Sequence, residues 1–148
     1  REGDMHIRTV EPLTVLQRRQ RLSISQIAGR AAPAYAELHA EASARGLKLN
    51  GPPIFQAWGM PQDAQTEFEL AFCLPVAGGD HELPPLRCAA AIYEGPISGL
   101  FIHGYEPLLQ AIAAAGLQAS GESREVYHRW QDPEAMDNRI EIQIGLGA

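Results

Sequence analysis

Cysteine is scarce in this 148-residue sequence: Cys73 and Cys88 are the only two, and neither lies in a CxxC pair or a cysteine–histidine array. Their scarcity argues against a disulfide framework or a zinc module and favours buried, reduced thiols. No run of about 18 apolar residues is present, so no membrane-spanning helix is predicted. The N-terminus lacks the apolar region of a secretory signal, and we expect a cytoplasmic protein.

Positive charge is scarce as well. Twelve lysines and arginines stand against 18 acidic residues, which gives a formal net charge of −6. Proteins that bind nucleic acid need a basic surface to replace the counterions along the phosphates. The densest basic group, at Arg18, Arg19 and Arg21, is typical of a solvated strand edge. We expect no direct DNA binding by this chain; a fused or partner DNA-binding domain and a homodimer are left open.

Recognisable catalytic and cofactor-binding motifs are also missing. The five histidines have no metal-ligand spacing. No glycine-rich phosphate loop opens a helix, and no serine nucleophile elbow is present. We therefore predict no metal site, no cofactor and no catalytic residue. Enzymatic activity is left open, with its absence favoured.

An internal repeat is present in the chain. Residues 46–51 read Gly-Leu-Lys-Leu-Asn-Gly, and 70 residues later 116–121 read Gly-Leu-Gln-Ala-Ser-Gly. Tyr35 and Tyr105 match at the same offset. Repeats of this kind indicate that one supersecondary unit occurs twice.

Each copy has the same order of predicted elements. Period and composition predict strands over 13–21, 54–58, 67–74, 87–94, 125–130 and 139–146, and helices over 24–45 and 104–115. Pro33 marks either the start of the first helix or a kink. The prediction is an α+β fold: a pseudo-twofold tandem of two β-α-β-β units, about 13–75 and 86–146, joined by a linker at 77–85. The sheets are antiparallel, two long helices lie on one side, and a ligand cleft lies between the halves.

Alternation along the strands assigns their faces, because successive side chains point to opposite sides of a sheet. Ile140, Ile142 and Ile144 are predicted to pack under the helices, as are Phe68, Leu70 and Phe72 in the first copy. Glu141 and Glu69 then point away from the helices. Tyr127 and Glu125 share one face of their strand, and we assign that face to the side of Glu141.

Several short stretches, in this order and spacing, resemble the GyrI-like, or AraC-effector-binding, family over about residues 13–146. They are Gly51-Pro52-Pro53, Cys73-Leu74-Pro75-Val76, Gly95-Pro96, Arg124-Glu125-Val126-Tyr127 and Ile140-Glu141-Ile142-Gln143-Ile144. The resemblance implies a pseudo-twofold pair of β-α-β-β modules. It also implies a small-molecule-binding domain, either free-standing or the effector domain of a MerR- or AraC-type transcription regulator.

The resemblance further implies a site for bulky, often cationic, aromatic compounds, built from a glutamate on the terminal strand and surrounding aromatics. By position that glutamate is Glu141, with Tyr127 as an aromatic wall, and we expect the two to meet. The competing interpretation is that Glu141 is a strand residue paired with Arg139 or Arg124. The other candidate ligand-binding residues are Glu125, Trp58, Glu69, Tyr93 and Phe55, although aromatics in strands are more often core.

The resemblance to the GyrI-like family implies three alternative functions. The first is a binding module for a hydrophobic or cationic aromatic molecule, acting as a drug or effector sensor of a transcription regulator or as a stand-alone binder. The alternative is a hydrolase of reactive cyclopropane-bearing or similar electrophilic natural products, with a glutamate–tyrosine pair for proton transfer. A further alternative is a gyrase-inhibitor-like protein module.

Overall fold

The computed structural model describes residues 4–147. Within them the chain divides into two compact units. The N-terminal unit is residues 11–85, and the C-terminal unit is residues 86–147 together with 4–10. No helix in the described part of the chain is long and apolar enough to cross a membrane.

Eight strands and two α-helices occur in the described residues. In chain order they are β1 (His6–Val10), β2 (Leu13–Leu22), α1 (Ile27–Ala44), β3 (Ile54–Trp58), β4 (Phe68–Pro75), β5 (His81–Leu83), β6 (Leu86–Glu94), α2 (Glu106–Ala114), β7 (Ala119–Arg129) and β8 (Arg139–Leu146). A 3-10 turn precedes α1. A 3-10 turn and then a π-helical segment, Leu100–Tyr105, precede α2.

The N-terminal unit is an antiparallel sheet with strand order β3-β4-β2-β5, covered on one face by α1. Ala34, Leu38 and Ala42 are buried at successive fourth positions, which places them on one stripe of the helix. A capping box at Ser23 opens the preceding turn. Beyond the helix, Gly46 has a φ of 65°, a left-handed conformation that suits glycine and ends the helix.

The C-terminal unit is an antiparallel sheet with strand order β1-β6-β8-β7. Leu108 and Ile112 of α2 pack against the isoleucines of β8 at 140, 142 and 144. Gly104 lies inside the π-helical segment, and a Cβ there would come within 2.7 Å of Ile142 Cδ1. The glycine therefore lets the segment approach the sheet closely.

The predicted fold class is confirmed in its main features. The fold is α+β and the sheets are antiparallel. Each unit contains the predicted strand, helix, strand and strand in that order, with one further strand, and its helix lies on one face of the sheet. The isoleucine face of β8 and the phenylalanine face of β4 pack towards the helices, as predicted. The sequence repeat and the cleft between the halves stay predictions.

Three features differ from the predicted elements. The stretch 77–85 is more than a linker because it contains β5, and β1 precedes the first predicted strand. A three-residue strand is too short for alternation to reveal it. Pro33 lies inside α1 and so does not mark the start of the helix, and the kink stays a prediction.

Candidate functional site

The pairing of β7 with β8 places Glu125 and Tyr127 on the face covered by α2. Glu125 lies opposite Ile142, and Tyr127 lies opposite Ile140. Directly opposite residues of an antiparallel ladder project to the same side, and both isoleucines belong to the core under α2. The prediction that Tyr127 and Glu125 share the face of Glu141 is therefore wrong. Glu141 and Tyr127 do not meet.

Two tyrosine hydroxyls bind the Glu125 carboxylate. The Tyr105 hydroxyl donates to Oε2, and the Tyr127 hydroxyl donates to Oε1 at 2.7 Å. Glu125 and Tyr105 are each only 8% exposed. Tyr105 is the last residue of the π-helical segment, so this segment carries the hydroxyl to the carboxylate. Each carboxylate oxygen thus accepts a hydrogen bond from a phenol.

The surroundings of Glu125 favour its protonated form. Burial raises the pKa of the Glu125 carboxyl, and the hydrogen bonds from Tyr105 and Tyr127 offset only part of this effect. Burial, together with the neighbouring Glu125, holds the pKa of Tyr105 well above its ordinary value. Glu125 is therefore a buried acid, and no cationic side chain of the described residues is among its hydrogen-bond donors.

Exposed aromatic rings lie at both ends of this cluster. Phe101 stacks on Tyr105 with ring centroids 6.5 Å apart, and Trp130 meets Tyr127 edge to face at 5.6 Å. Phe101 is 52% exposed and Trp130 is 43% exposed. We call these five residues, Phe101, Tyr105, Glu125, Tyr127 and Trp130, the carboxylate–aromatic row. It combines a buried acid with accessible rings, which can bind a flat apolar molecule.

The N-terminal unit has no carboxylate at the corresponding place. Tyr35, the match of Tyr105, donates its hydroxyl to the backbone oxygens of Ile54 and Cys73, each at 3.1 Å. Phe55, which lies 70 residues before Glu125, stacks on Tyr35 at 6.0 Å. The same tyrosine is therefore structural in one unit and bonded to an acid in the other.

Glu141 lies on the opposite face of the C-terminal sheet, and side chains of the same unit bind its carboxylate. Arg8 Nη1 donates to Oε2 at 2.6 Å, Gln143 donates to Oε2 at 3.1 Å, and His128 Nε2 lies 2.9 Å from Oε1. Burial opposes ionisation, but the hydrogen bonds from His128 and Gln143 and the charge of Arg8 outweigh it and lower the pKa of Glu141. A ligand-binding role for Glu141 stays a prediction.

The other predicted site residues fall in three places. Trp58 and Glu69 pair across β3 and β4, and Arg19 contacts both, with its guanidinium carbon 4.1 Å from the Trp58 ring centroid and its Nε 3.3 Å from Glu69. Tyr93 is core in the C-terminal unit and donates to the Pro96 oxygen at 2.5 Å. Phe55 packs against the core of the N-terminal unit. Their roles in ligand binding stay predictions.

Sequence reasoning gave no role to Tyr105 or Phe101. The match of Tyr105 with Tyr35 was the one sign available, but it did not reveal the acid beside the ring. Among residues 4–147, no group of three or more acidic, histidine or cysteine side chains is placed to hold a metal ion.

Glu125→Gln is expected to raise the free energy of unfolding at pH 7, by on the order of 1 kcal/mol. Burial raises the folded-state pKa of Glu125, so its contribution to stability is complete below the unfolded-state pKa and is lost as pH rises through the folded-state value. Glutamine keeps the shape without titrating. Urea unfolding at a series of pH values should show the advantage of the variant shrinking towards acid pH. The exposed Glu134→Gln is the control, and a pH-independent advantage for Glu125→Gln would contradict the raised pKa.

No protein-family model matches the chain, and no curated protein matches it. Solved structures do match. EcmrR, in its complex with DNA, aligns with a TM-score of 0.77 at 20% identity over 97% of this chain. The chain spans 57% of the length of that EcmrR chain. The isolated EcmrR C-terminal domain aligns with a TM-score of 0.71 at 18% identity, covering 97% of both chains. The chain has the fold of the EcmrR C-terminal domain.

Two further structures share this fold. SAV2435 bound to tetraphenylphosphonium aligns with a TM-score of 0.60 at 13% identity, covering 97% of this chain and 94% of the other. A hydrolase encoded by lin2189 from Listeria innocua aligns with a TM-score of 0.69 at 11% identity, covering 99% and 93%. These likenesses confirm the fold that the GyrI-like resemblance predicts.

Proposed function

We propose that this chain is a small-molecule-binding domain of the GyrI-like kind, whose carboxylate–aromatic row takes hydrophobic, cationic aromatic compounds. The observation that carries the proposal is the Glu125 carboxylate, which is buried among aromatic side chains and, within residues 4–147, is hydrogen-bonded by two neutral tyrosine hydroxyls and no cation. A buried carboxylate without a cation is costly. A cationic ligand that reaches it therefore gains affinity from the missing charge partner.

The flanking rings supply the apolar part of the proposed interaction. Phe101 and Trp130 offer exposed faces to a flat or branched aromatic molecule. A cation held over such rings gains about 0.5–2 kcal/mol, more when it is desolvated. The row therefore favours a ligand that is both aromatic and positively charged over one that is only apolar.

The domain would act as the sensor of a transcription regulator or as a stand-alone binder in the cytoplasm. EcmrR, which shares the fold, has been seen in complex with DNA, and SAV2435 has been seen with tetraphenylphosphonium, an aromatic cation. In a regulator, binding at the row would be transmitted to a DNA-binding domain. With a net charge of −6, the present chain is itself expected to have little affinity for DNA.

The proposal predicts that Glu125→Gln weakens binding of tetraphenylphosphonium by about 1–3 kcal/mol, the loss expected for a charge-assisted contact. Isothermal titration calorimetry with the full chain measures this directly. The matched control is Glu141→Gln, which changes an equally buried glutamate on the other face. Because Arg8, His128 and Gln143 already occupy the Glu141 carboxylate, that control should bind the cation nearly as the parent does.

A neutral ligand separates charge from shape. Triphenylphosphine oxide should bind the parent and Glu125→Gln alike, since it has the rings but no net charge. Trp130→Ala should weaken both ligands because it removes an exposed ring. If Glu141→Gln loses the cation and Glu125→Gln keeps it, the site lies on the other face and the proposal is wrong.

One observation favours a second function, a hydrolase. Glu125 has a raised pKa and shares a hydrogen bond with the Tyr105 hydroxyl, an arrangement suited to proton transfer. Turnover of an electrophilic cyclopropane substrate that is lost in both Glu125→Gln and Tyr105→Phe, while substrate binding persists, would support it. Binding of the substrate without turnover in the parent chain would instead support the binding-module proposal.

A further inference from the structure

A hollow is present on the face of the C-terminal sheet opposite α2. It is shallow and open to solvent, with a volume of about 270 Å³. The residues that line it are His6, Arg8, Ala90, Ala91, Ile92 and Glu141. None of them belongs to the carboxylate–aromatic row, so the hollow is a separate feature.

Strand register explains why the hollow forms. His6 of β1 lies opposite Ala90 of β6, and Ile92 of β6 lies opposite Glu141 of β8. The side chain of Ala90 is only a methyl group, so the floor of the hollow at this position is low and apolar. His6 and Arg8 stand on one side as an exposed polar rim.

Among the residues that the structure describes, hydrogen bonds occupy both oxygens of Glu141 in the hollow and leave donor groups of Arg8 available. Both oxygens of Glu141 already face donors of the same unit: Arg8 and Gln143 at Oε2, and His128 at Oε1. Arg8 reaches Glu141 through Nη1, and its side chain remains 48% exposed. Its other guanidinium nitrogens, Nη2 and Nε, can donate to a ligand. A planar carboxylate matches such a pair of donors because an arginine fork binds it in bidentate fashion.

We propose that this hollow binds a small organic acid, a monocarboxylate of about the size of benzoate. The carboxylate would accept from Arg8, and the ring or alkyl group would lie on Ala90 and Ile92. The volume is just below the range of about 300–1,000 Å³ that holds drug-sized molecules, which limits the ligand to a small one. The occupied Glu141 oxygens disfavour a cation here, so this site and the row take ligands of opposite charge.

Titration of the full chain with benzoate, followed by ¹H–¹⁵N correlation spectra, tests the proposal. Saturable shifts are expected at the amides of Arg8, Ala90 and Ile92. Benzamide, which has nearly the same shape without the charge, should bind at least about tenfold more weakly, as expected when a charge-assisted pair is lost.

Three variants test whether benzoate binds in the hollow and through the charge of Arg8. Ala90→Leu fills the hollow without touching any charge and should abolish the benzoate shifts. Arg8→Gln should weaken benzoate by about tenfold. Glu141→Gln removes the negative charge that competes for Arg8, so it should tighten benzoate by a few-fold. A folded spectrum of each variant is checked first.

The control outside the hollow is Glu125→Gln, which should bind benzoate as the parent does. If the proposal for the carboxylate–aromatic row fails, the results expected with benzoate are therefore unchanged. A negative result with benzoate likewise leaves the proposal for the row unchanged. Absence of saturable shifts with benzoate in the parent, unchanged binding in Ala90→Leu, or weaker binding in Glu141→Gln would each overturn the proposal.

Discussion

Phe72→Ala is expected to lower the free energy of unfolding of the N-terminal unit by about 3–5 kcal/mol, the cost of truncating a buried aromatic side chain. Phe72 is completely buried on the α1 side of β4. Its ring meets Phe55 edge to face at 5.1 Å and Tyr35 at 5.8 Å. Alanine would remove both aromatic contacts and leave a cavity. The backbone of a central strand cannot relax enough to close that cavity.

Urea unfolding measured by tryptophan fluorescence can follow this loss. The chain has two tryptophans, Trp58 in the N-terminal unit and Trp130 in the C-terminal unit, so a Trp130→Phe background reports on the first unit alone. Leu49→Ala, which truncates a 52% exposed side chain of the same unit, is the control and should change stability by less than about 1 kcal/mol. A loss of similar size in Phe72→Ala would contradict the packing around that residue.

Tyr105→Ala is the second large effect, with an expected loss of about 3–5 kcal/mol in the C-terminal unit. The substitution removes two contributions to stability, a buried ring and a hydrogen-bond donor. The buried ring supports the junction of the π-helical segment with α2, and its hydroxyl is one of the two donors to Glu125. Tyr105→Phe removes only the hydroxyl and should cost about 1–3 kcal/mol.

The pH dependence of the two variants separates these contributions. With Tyr105→Phe, the loss should shrink at acid pH, because the protonated form of Glu125 depends less on a donor. With Tyr105→Ala, most of the loss should persist, since the cavity does not titrate. Unfolding is followed through Trp130 in a Trp58→Phe background. If phenylalanine proves as damaging as alanine at every pH, the hydroxyl carries the whole effect and the ring does not support the fold.

Much of the fold is predictable because local patterns determine it. The alternation in 140–144 and 68–72 identifies both core faces, and helix α1 ends at the glycine that the sequence indicates. Strands β1 and β5 are not predictable in the same way. Each exists because of a partner strand, and pairing with a distant segment leaves no local periodicity.

The candidate site is harder to predict because it depends on register. Alternation shows that Glu125 and Tyr127 share a face of β7, but it does not say which face. That choice depends on the pairing with β8, and β7 has register shifts at both ends of the relevant stretch. A slip of one residue reverses every side chain. The pairing of Glu141 with Arg8 could not be predicted for a different reason, because Arg8 lies on β1, a strand that the sequence pattern does not reveal.

The place of β1 in the chain has a consequence for biosynthesis. Residues 6–10 leave the ribosome before the N-terminal unit, yet they pair with β6, which is made after that unit is complete. The N-terminal unit holds all four of its strands in one continuous stretch and can fold during translation. Strand β1 cannot form its native pairing until β6 has emerged. A chain shortened to begin at Glu11 would leave the β1 side of β6 open, an edge at which other chains can add.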